Sequence, residues 1–254
     1  MSADPLGKAI LDYQRGELRG DCQYRDGADS QDGHIHENYF TPSEEWSDEW
    51  KSRLNSLDYP IVDIGCGSGQ YAEFLQKSGE VVAIDVSPGA VKAAAERGVE
   101  DARVMDMFEL EFSRDRFQSA LVNGTQIGLA QSLAGARDFL SDLARITDED
   151  GVAIVDNYEP TEFDPERFFG YRSDPRRGVA HRTFHVEYVR DGEREVGRNL
   201  HFVIFSPERL QDVTVGTRWY VAEVHTDGVY YRSVLRKPAR KRDENEGEQN
   251  RDNT

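Results

Sequence analysis

The sequence predicts an α/β fold with a Rossmann-like, doubly wound and mainly parallel sheet. From residue 59 to residue 160, short apolar runs alternate with segments of helical periodicity, and this alternation is typical of parallel sheets. A glycine-rich turn at residues 65–69 joins the first apolar run to the first helical segment. Near the C-terminus, Asp191-Gly192 and Asp227-Gly228 each separate two alternating segments, which predicts an antiparallel β addition.

The first 58 residues are expected to form a cap made of helices and a hairpin. Apolar spacing predicts a helix at residues 5–18, and the Gly- and Asp-rich segment 22–40 contains short alternating pieces that could pair as a hairpin. Ser43 is expected to cap a further helix that runs from Trp46 to Leu57.

The core and the C-terminal addition follow in regular order. Core strands are predicted at residues 60–64, 80–84, 102–105, 119–122 and 151–156, and helices at 70–77, 90–97 and 133–146. The addition, at residues 161–236, is expected to comprise a loop at 161–178, hairpins formed by 181–190 with 195–205 and by 218–225 with 229–235, and a short helix begun by Ser206-Pro207. Residues 237–254 are strongly charged and are predicted to be disordered.

The chain of 254 residues has a net charge of −17, and 25 of its 31 basic residues are arginine. Such an acidic surface repels polyanions, so nucleic-acid binding is not expected. The composition also resembles that of proteins from halophilic organisms, in which acidity reflects a salt-rich habitat. The excess acid lies in residues 1–59 (−7) and 60–160 (−10), whereas residues 161–236 hold equal numbers of acids and bases.

The surroundings of the protein can be predicted only broadly. No apolar stretch approaches the length of a membrane-spanning helix, and the N-terminus lacks the pattern of a secretory signal. Cys22 and Cys66 are too few for a disulfide framework. We therefore expect a cytoplasmic protein with no membrane partner, and the sequence does not indicate its oligomeric state.

The segment VDIGCGSGQ at residues 62–70 ends a strand and begins a helix. Glycines let the backbone turn sharply and let a ligand approach closely, and the free N–H groups of the helix can hold a polar group. A dinucleotide-binding turn needs its third glycine at position 70, where this chain has Gln70, and no phosphate-loop lysine follows. The alternative is an ordinary strand-to-helix turn.

Acidic residues end the next two strands. Asp85 lies 18 residues beyond Gly67, close to the interval at which a carboxylate reaches a ribose diol. Asp106 could accept a hydrogen bond from an adenine amine while Met105 or Met107 packs on the ring. Because the carboxyl ends of parallel strands meet at one edge of the sheet, we expect these groups to converge there.

These segments resemble the class I S-adenosylmethionine-dependent methyltransferases, particularly small bacterial and archaeal members. VDIGCGSG at 62–69 is similar to the first motif of that family, and DVSPGAV at 85–91 to the segment after its second strand. The resemblance implies a methyltransferase domain at 59–236, with its cofactor-binding core at 59–160. It implies S-adenosyl-L-methionine as cofactor and S-adenosyl-L-homocysteine as product. The expected cofactor contacts are Asp63, Gly65, Cys66, Gly67, Asp85, Val86, Asp106, Met107 and Asn123.

The resemblance also gives each part of the site an expected role. Asp63 would fix the glycine loop near the methionine part of the cofactor, Asp85 would hold the ribose and Asp106 the adenine. Residues 123–126 would line the methyl-transfer site. The chain departs from the family pattern at Gln118, where an acid is usual. It also lacks the Asn/Asp-Pro-Pro-Tyr motif of methyltransferases that act on nucleic-acid amines, because Gly124 follows Asn123.

Residues that could act on the acceptor are few. Methyl transfer from a sulfonium is an in-line displacement that depends mainly on alignment, so a catalytic residue need not exist. His34 or His36 could act as a base, with Tyr39 nearby, although exposed hairpin histidines are the alternative. No metal site is expected, because no further Cys/His pair lies near these histidines.

A basic cluster after the fifth strand consists of Arg172, Arg176, Arg177 and Arg182. Arg176 and Arg177, with Gln126, are candidates for substrate binding, because arginine binds carboxylates and phosphates well. The alternative is a solvated loop that balances the acidic surface. We expect a methyltransferase with a small-molecule acceptor. A protein acceptor, a non-catalytic S-adenosylmethionine- or nucleotide-binding protein that acts as a sensor or partner subunit, and an oxidoreductase disfavoured by Gln70 remain open.

Overall fold

The computed structural model describes residues 3–238. The N-terminal segment forms α1 (Pro5–Gln14), β1 (Cys22–Asp26), β2 (Asp29–Asp32), α2 (Ile35–Tyr39) and α3 (Asp48–Asn55). The core forms β3 (Ile61–Ile64), α4 (Gln70–Leu75), β4 (Val81–Asp85), α5 (Pro88–Arg97), β5 (Ala102–Val104), β6 (Phe117–Val122), α6 (Leu133–Ile146) and β7 (Thr147–Tyr158). The C-terminal part forms β8 (Tyr171–Ser173), β9 (Val179–Arg190), β10 (Glu193–Val196), β11 (Leu200–Phe205), α7 (Pro207–Thr214), β12 (Tyr220–Asp227) and β13 (Tyr230–Arg236).

The main sheet has the strand order β12-β13-β7-β6-β3-β4-β5. The five strands from β7 to β5 are parallel, whereas β13 runs antiparallel to β7 and β12 runs antiparallel to β13. This arrangement confirms the predicted α/β fold with an antiparallel C-terminal addition. The strand order reverses between β3 and β6, which is where doubly wound sheets bind ligands.

Both faces of the central strands are buried, which explains why these strands were readable as apolar runs. Val62 and Ile64 of β3 pack in one cluster with Leu140 of α6. Ile61 of the same strand packs on the other face with Leu75 of α4. Asp63 is the exception, because its carboxyl lies in the middle of this apolar strand and is only 2% exposed.

A second, antiparallel sheet contains strands from both ends of the chain. Its order is β10-β9-β1-β2, and β8 and β11 also pair with β9. Cys22 of β1 is opposite Tyr188 of β9 in this pairing. The predicted cap at residues 1–58 and the predicted addition at 161–236 are therefore joined by one sheet. Local sequence patterns do not reveal pairing between strands so far apart.

Several predicted boundaries are wrong. Residues Ser43–Glu45 form only a 3₁₀ turn, and the following helix is capped by Ser47, whose Oγ accepts a hydrogen bond from the backbone N–H of Trp50 at 3.1 Å. Acidic residues directly after Ser47 favour this start, because they interact well with a helix N-terminus. The first helix ends at Gln14 rather than at residue 18. The predicted loop at 161–178 contains β8, and the predicted strand at 195–205 is divided into β10 and β11.

Lys237 is an ordered residue, although it was predicted to begin the disordered tail. Its side chain is 7% exposed and its Nζ donates hydrogen bonds to the carbonyls of Ala144, Thr147 and Asp148 at 2.8, 2.6 and 2.6 Å. Lys237 thus satisfies the carbonyl of Ala144, which lies in the last turn of α6, and two carbonyls at the start of β7. The remaining predicted tail, residues 239–254, lies outside the described residues. Between residues 3 and 238, no helix combines the length and apolar character needed to span a membrane.

Candidate functional site

The glycine loop between β3 and α4 is held in a conformation that suits glycine. Gly65, Gly67 and Gly69 have φ angles of +73°, +55° and +77°, in the region that L side chains rarely adopt. A Cβ on Gly69 would lie 2.8 Å from the Cβ of Ala94, so Gly69 permits close packing on α5. A Cβ on Gly65 would meet the side chain of Gln126, and one on Gly67 would meet the ring of Tyr39. Gly65 and Gly67 therefore form a cradle beneath these two side chains.

Asp85, at the end of β4, is bound directly to the glycine loop. Its Oδ2 accepts a hydrogen bond from the backbone N–H of Gly67 at 3.0 Å, and its Oδ1 accepts one from Ser87 at 2.8 Å. Burial raises the pKa of Asp85, whereas these two hydrogen bonds oppose the rise. The sequence prediction that Asp85 and the glycine turn meet at one edge agrees with this contact.

Asp63 lies behind the glycine loop and has an unsatisfied oxygen. Its carboxyl accepts a backbone hydrogen bond from Ala72, but its buried Oδ2 has no partner among residues 3–238. Burial and, next, the nearby charge of Asp85 raise the pKa of Asp63 to about 7. Burial likewise raises the pKa of the Cys66 thiol well above its usual value. Cys66 is therefore a small buried residue of the loop and lacks the character of a reactive thiolate.

The end of α2 is fastened over the loop. The Ser68 hydroxyl donates a hydrogen bond to the carbonyl of Tyr39, and the Gln70 side-chain amide donates one to the carbonyl of Asn38 at 3.2 Å. Arg97 of α5 donates a further hydrogen bond to the Tyr39 carbonyl at 3.2 Å. Gln70, which breaks the dinucleotide pattern, thus holds the N-terminal segment.

Among the three catalytic candidates of the N-terminal segment, the structure brings only Tyr39 against the glycine loop. His34 and His36 are exposed; His34 lies near Asp32, and Nδ1 of His36 is 2.8 Å from the hydroxyl of Tyr13. Burial raises the pKa of Tyr39 well above its usual value, so Tyr39 is a neutral phenol at physiological pH. The role of His34 or His36 as a base stays a prediction.

The residues expected at the adenine lie at the ends of β4 and β5. Oδ1 of Asp106 accepts a hydrogen bond from the backbone N–H of Phe108 at 2.9 Å, which closes a turn after β5. Val86 is 51% exposed, whereas Met107 is buried. Met107 and Phe108 line one side of an open pocket of about 350 Å³, whose other side includes Phe139 of α6. Together these residues provide apolar surface beside a carboxylate.

A second polar group lies at the ends of β6 and β7, beyond the glycine loop. Asp156 is fully buried and accepts hydrogen bonds from the backbone N–H groups of Gly124 and Thr125 at 2.8 and 2.7 Å. It also accepts a hydrogen bond from the hydroxyl of Tyr230. Burial raises the pKa of Asp156, and the Tyr230 hydroxyl opposes that rise. Asp156 thereby fixes the loop after β6 and orients Tyr230.

Asn123 lies within this polar group. Its Oδ1 is 3.4 Å from the hydroxyl of Tyr230 and 3.3 Å from Nε of Arg232, and its Nδ2 is 3.4 Å from the hydroxyl of Tyr71. The guanidinium of Arg232 lies 4.3 Å from the ring centroid of Trp50, a cation–π arrangement. Burial and the charge of Asp156 raise the pKa of Tyr230. The group therefore offers the oriented hydrogen-bonding atoms of Asn123 and Tyr230, next to the carboxyl of Asp156 and the guanidinium of Arg232.

Two members of this group were missed from the sequence as site residues. Asp156 ends a predicted core strand, so the rule that located Asp85 and Asp106 would also have located it. Tyr230 could not be found in this way, because its position depends on the pairing of β13 with β7. By contrast, Asn123 and Gln126 were predicted to line this region, and Gln126 does lie against Gly65.

Arg176 and Arg177 do not reach the site. Both are exposed, and Arg176 forms an ion pair with Asp174 through Nη2 at 2.7 Å. Arg176 already has a carboxylate partner and is thus less available to a ligand. The part of Arg176 and Arg177 in substrate binding stays a prediction. Arg182, from the same basic cluster, instead lies on the inner face of β9 between the rings of Phe168 and Phe184.

Comparison with known proteins identifies a related domain and structures of the same fold. Residues 61–151 match the family model of a methyltransferase domain. A solved S-adenosylmethionine-dependent methyltransferase from Bacteroides fragilis, in complex with S-adenosyl-L-homocysteine, is 22% identical with a TM-score of 0.75, over 93% of this chain and 96% of that chain. One from Clostridium acetobutylicum is 15% identical with a TM-score of 0.61, over 81% and 97%. A sugar N-methyltransferase from a Streptoalloteichus species is 16% identical with a TM-score of 0.56, over 78% and 88%.

The fold is thus that of the class I S-adenosylmethionine-dependent methyltransferases, and the predicted resemblance is confirmed. Within it, residues 61–151 are the part that resembles a methyltransferase domain in sequence. A comparison with curated protein sequences finds no match.

Proposed function

We propose that this protein is an enzyme that transfers a methyl group from S-adenosylmethionine to a small-molecule acceptor. The observation that carries the proposal is the position of the polar group formed by Asn123, Asp156 and Tyr230. It lies at the ends of β6 and β7, one strand away from the glycine loop that follows β3. A protein that only bound the cofactor would need the loop but not a second set of oriented polar atoms beside it.

The residues at the sheet edge fit S-adenosylmethionine. The loop has no Cβ at Gly65 or Gly67, so a ligand as well as the side chains of Gln126 and Tyr39 can approach its backbone closely, and the buried Oδ2 of Asp63 still needs a partner. Asp63 and Gly65 would lie at the methionine part of the cofactor and Asp85 at its ribose. Asp106 and Met107, with Val86, would lie at the adenine. When bound, the cofactor supplies an activated methyl group on a sulfonium.

The residues on the acceptor side are suited to alignment. The hydroxyl of Tyr230 is held by Asp156, and its raised pKa keeps it protonated. Asp156 already accepts three hydrogen bonds, so it supports the site and does not serve as a free base. An acceptor held by Asn123 and Tyr230 would be aligned with the methyl group, and such alignment is what an in-line displacement requires.

Two features favour a small acceptor. The end of α2 is fastened over the glycine loop by Ser68 and Arg97, and a cover of this kind suits a small acceptor better than a large one. Structural neighbours include a sugar N-methyltransferase and an amino pentose methyltransferase, from Micromonospora echinaspora, with TM-scores of 0.56 and 0.52. We also infer a cytoplasmic setting without nucleic-acid or membrane partners, a view supported by the acidic charge and by the free, buried Cys22 and Cys66.

Calorimetry with S-adenosylmethionine, S-adenosylhomocysteine and NAD tests the cofactor. We expect both sulfur compounds to bind and NAD not to bind; binding of NAD alone would refute the proposal. Turnover to S-adenosylhomocysteine is then measured against a metabolite panel in low and high salt.

The variant Tyr230→Phe tests the acceptor side of the site. We expect kcat to fall about tenfold, which corresponds to about 1.4 kcal/mol in the barrier, with unchanged affinity for S-adenosylhomocysteine. Tyr220→Phe is the matched control, because Tyr220 is exposed on β12. Cofactor binding without turnover of any metabolite or protein acceptor would favour a sensor or partner subunit.

A further inference from the structure

Arg182 is a half-buried cation enclosed by aromatic rings. Its Cζ lies 4.6 Å from the ring centroid of Phe184 and 5.2 Å from that of Phe168. Its Nε donates a hydrogen bond to the carbonyl of Phe169 at 2.9 Å. The side chain is therefore fixed by one hydrogen bond and two ring contacts. Its two Nη groups have no hydrogen-bond partner among residues 3–238.

No carboxylate among residues 3–238 lies within 4 Å of this guanidinium, whereas nearby arginines of the same sheet are paired. Arg172 pairs with Asp26 at 2.7 Å, and Arg190 pairs with Asp12 at 2.7 Å. Burial lowers the pKa of Arg182, but a guanidinium remains charged at physiological pH. Burying a charge without a counter-ion costs free energy. The absence of one here is notable because the protein has many acidic residues. An anionic ligand could therefore serve as the counter-ion of Arg182.

The position of Arg182 connects it with the proposed acceptor site. Tyr24, Tyr39 and Tyr158 are the ionisable groups that interact with its charge. Tyr39 covers Gly67 on the cofactor side. The ring of Tyr158 lies 5.4 Å from that of Tyr230, which donates to Asp156 on the acceptor side. Contacts connect Arg182 with both sides. Its guanidinium packs on Phe168, whose ring lies 5.0 Å from that of Tyr158. It also packs on Phe184, which belongs to the apolar cluster against which Tyr39 packs.

We propose that Arg182 binds the carboxylate of the methyl acceptor, and that the acceptor is a small carboxylic acid with an aromatic or apolar body. This inference rests on the proposed function. A planar carboxylate matches the edge formed by the two Nη groups of the guanidinium, which is free because Nε is bound to Phe169. The rings of Phe168, Phe184 and Tyr158 offer apolar contact to the body. A monoanion suits the site better than a phosphate dianion, because Asp85 and Asp156 already bring negative charge to the sheet edge.

The test uses benzoate as a carboxylate probe, benzamide as its neutral counterpart and phenyl phosphate as a dianion. Binding to the full-length protein is measured by calorimetry with and without S-adenosylhomocysteine. We expect benzoate to bind the wild type more tightly than either other probe. Arg182→Met should weaken benzoate at least tenfold, and Arg182→Lys should weaken it less. Arg176→Met, which changes an exposed and paired arginine, should have no effect.

The same titrations identify failure. Unchanged benzoate affinity in Arg182→Met, or tighter binding of phenyl phosphate than of benzoate, overturns the proposal. A tenfold loss of S-adenosylhomocysteine affinity in Arg182→Met also overturns it, because Arg182 would then serve the carboxylate of the cofactor. Failure of the wild type to bind S-adenosylhomocysteine refutes the proposed function instead, while the benzoate titrations without it still report on Arg182. Thermal unfolding confirms that each variant is folded, and Arg182→Gln replaces Arg182→Met if the latter is not.

Discussion

The buried carboxyl of Asp63 should make the stability of the protein depend on pH, and Asp63→Asn should remove that dependence. The pKa of Asp63 rises from 3.8 to about 7 on folding. Because the folded protein holds the proton more tightly than the unfolded chain, protonated Asp63 stabilises the fold below about pH 4. That contribution is lost as the pH rises towards 7. The full loss is about 4 kcal/mol, of which about 2 to 3 kcal/mol falls between pH 5 and pH 8.

Urea unfolding of the wild type and of Asp63→Asn, at fixed salt and without ligand, measures this effect. Other carboxylates titrate in both proteins, so the relevant quantity is the difference between their free energies of unfolding. We expect that difference to shift in favour of Asp63→Asn by about 2 to 3 kcal/mol from pH 5 to pH 8. Asp58→Asn, at an exposed position, should show no such shift. If the difference in free energy of unfolding between the wild type and Asp63→Asn stays constant with pH, burial does not raise the pKa of Asp63 and the reasoning is refuted.

Three further outcomes follow from the structure. Gly67→Ala places a Cβ 2.9 Å from the ring of Tyr39 at a φ of +55°. Calorimetry should therefore show at least tenfold weaker binding of S-adenosylhomocysteine. Gly192→Ala is the control, because Gly192 also has a positive φ but its Cβ would meet no neighbour, and this variant should bind normally. Lys237→Met removes three hydrogen bonds from a charged donor and should lower the free energy of unfolding in urea by about 2 kcal/mol; no change would mean that the carbonyls are satisfied otherwise. Because the net charge is −17, raising KCl should raise the melting temperature, and a flat response would argue against adaptation to high salt.

The parts of the fold that depend on local pattern could be predicted from the sequence. The bounds of α6, Leu133–Ile146, agree with the prediction because its apolar stripe and its cap at Ser132 are local features. Asp85 could be assigned to the sheet edge because it ends a strand whose neighbours are fixed by right-handed crossovers. In contrast, Ser43 and Ser47 both resemble helix caps, and only the fold distinguishes the 3₁₀ turn from the helix.

The parts that depend on distant pairing could not be predicted. Tyr230 lies beside Asp156 because β13 inserts next to β7 with Tyr230 opposite Tyr158. Nothing local in the sequence indicates which edge of the sheet that hairpin joins. The same holds for β1 and β9, whose pairing brings Tyr24 to the sheet that carries Arg182. The acceptor side of the site therefore depends on how distant strands pair, and the sequence does not predict it. The cofactor side consists of local motifs that the sequence does predict.

The second sheet brings together two parts of the chain that differ in net charge. The acidic N-terminal segment and the neutral C-terminal addition meet there, and ion pairs cross between them in both directions. Arg190 and Arg172 pair with acids of the N-terminal segment, whereas Lys8 pairs with Glu195 of the addition. Arg172 and Arg190 thus help to hold the two ends of the chain together, whereas Arg176, Arg194 and Arg209 pair with acids of the addition itself. With equal numbers of acids and bases, the addition has no general excess of positive charge for a substrate. Because Arg182 faces inward and takes no part in this pairing, local geometry and not total charge should determine which acceptor the protein selects.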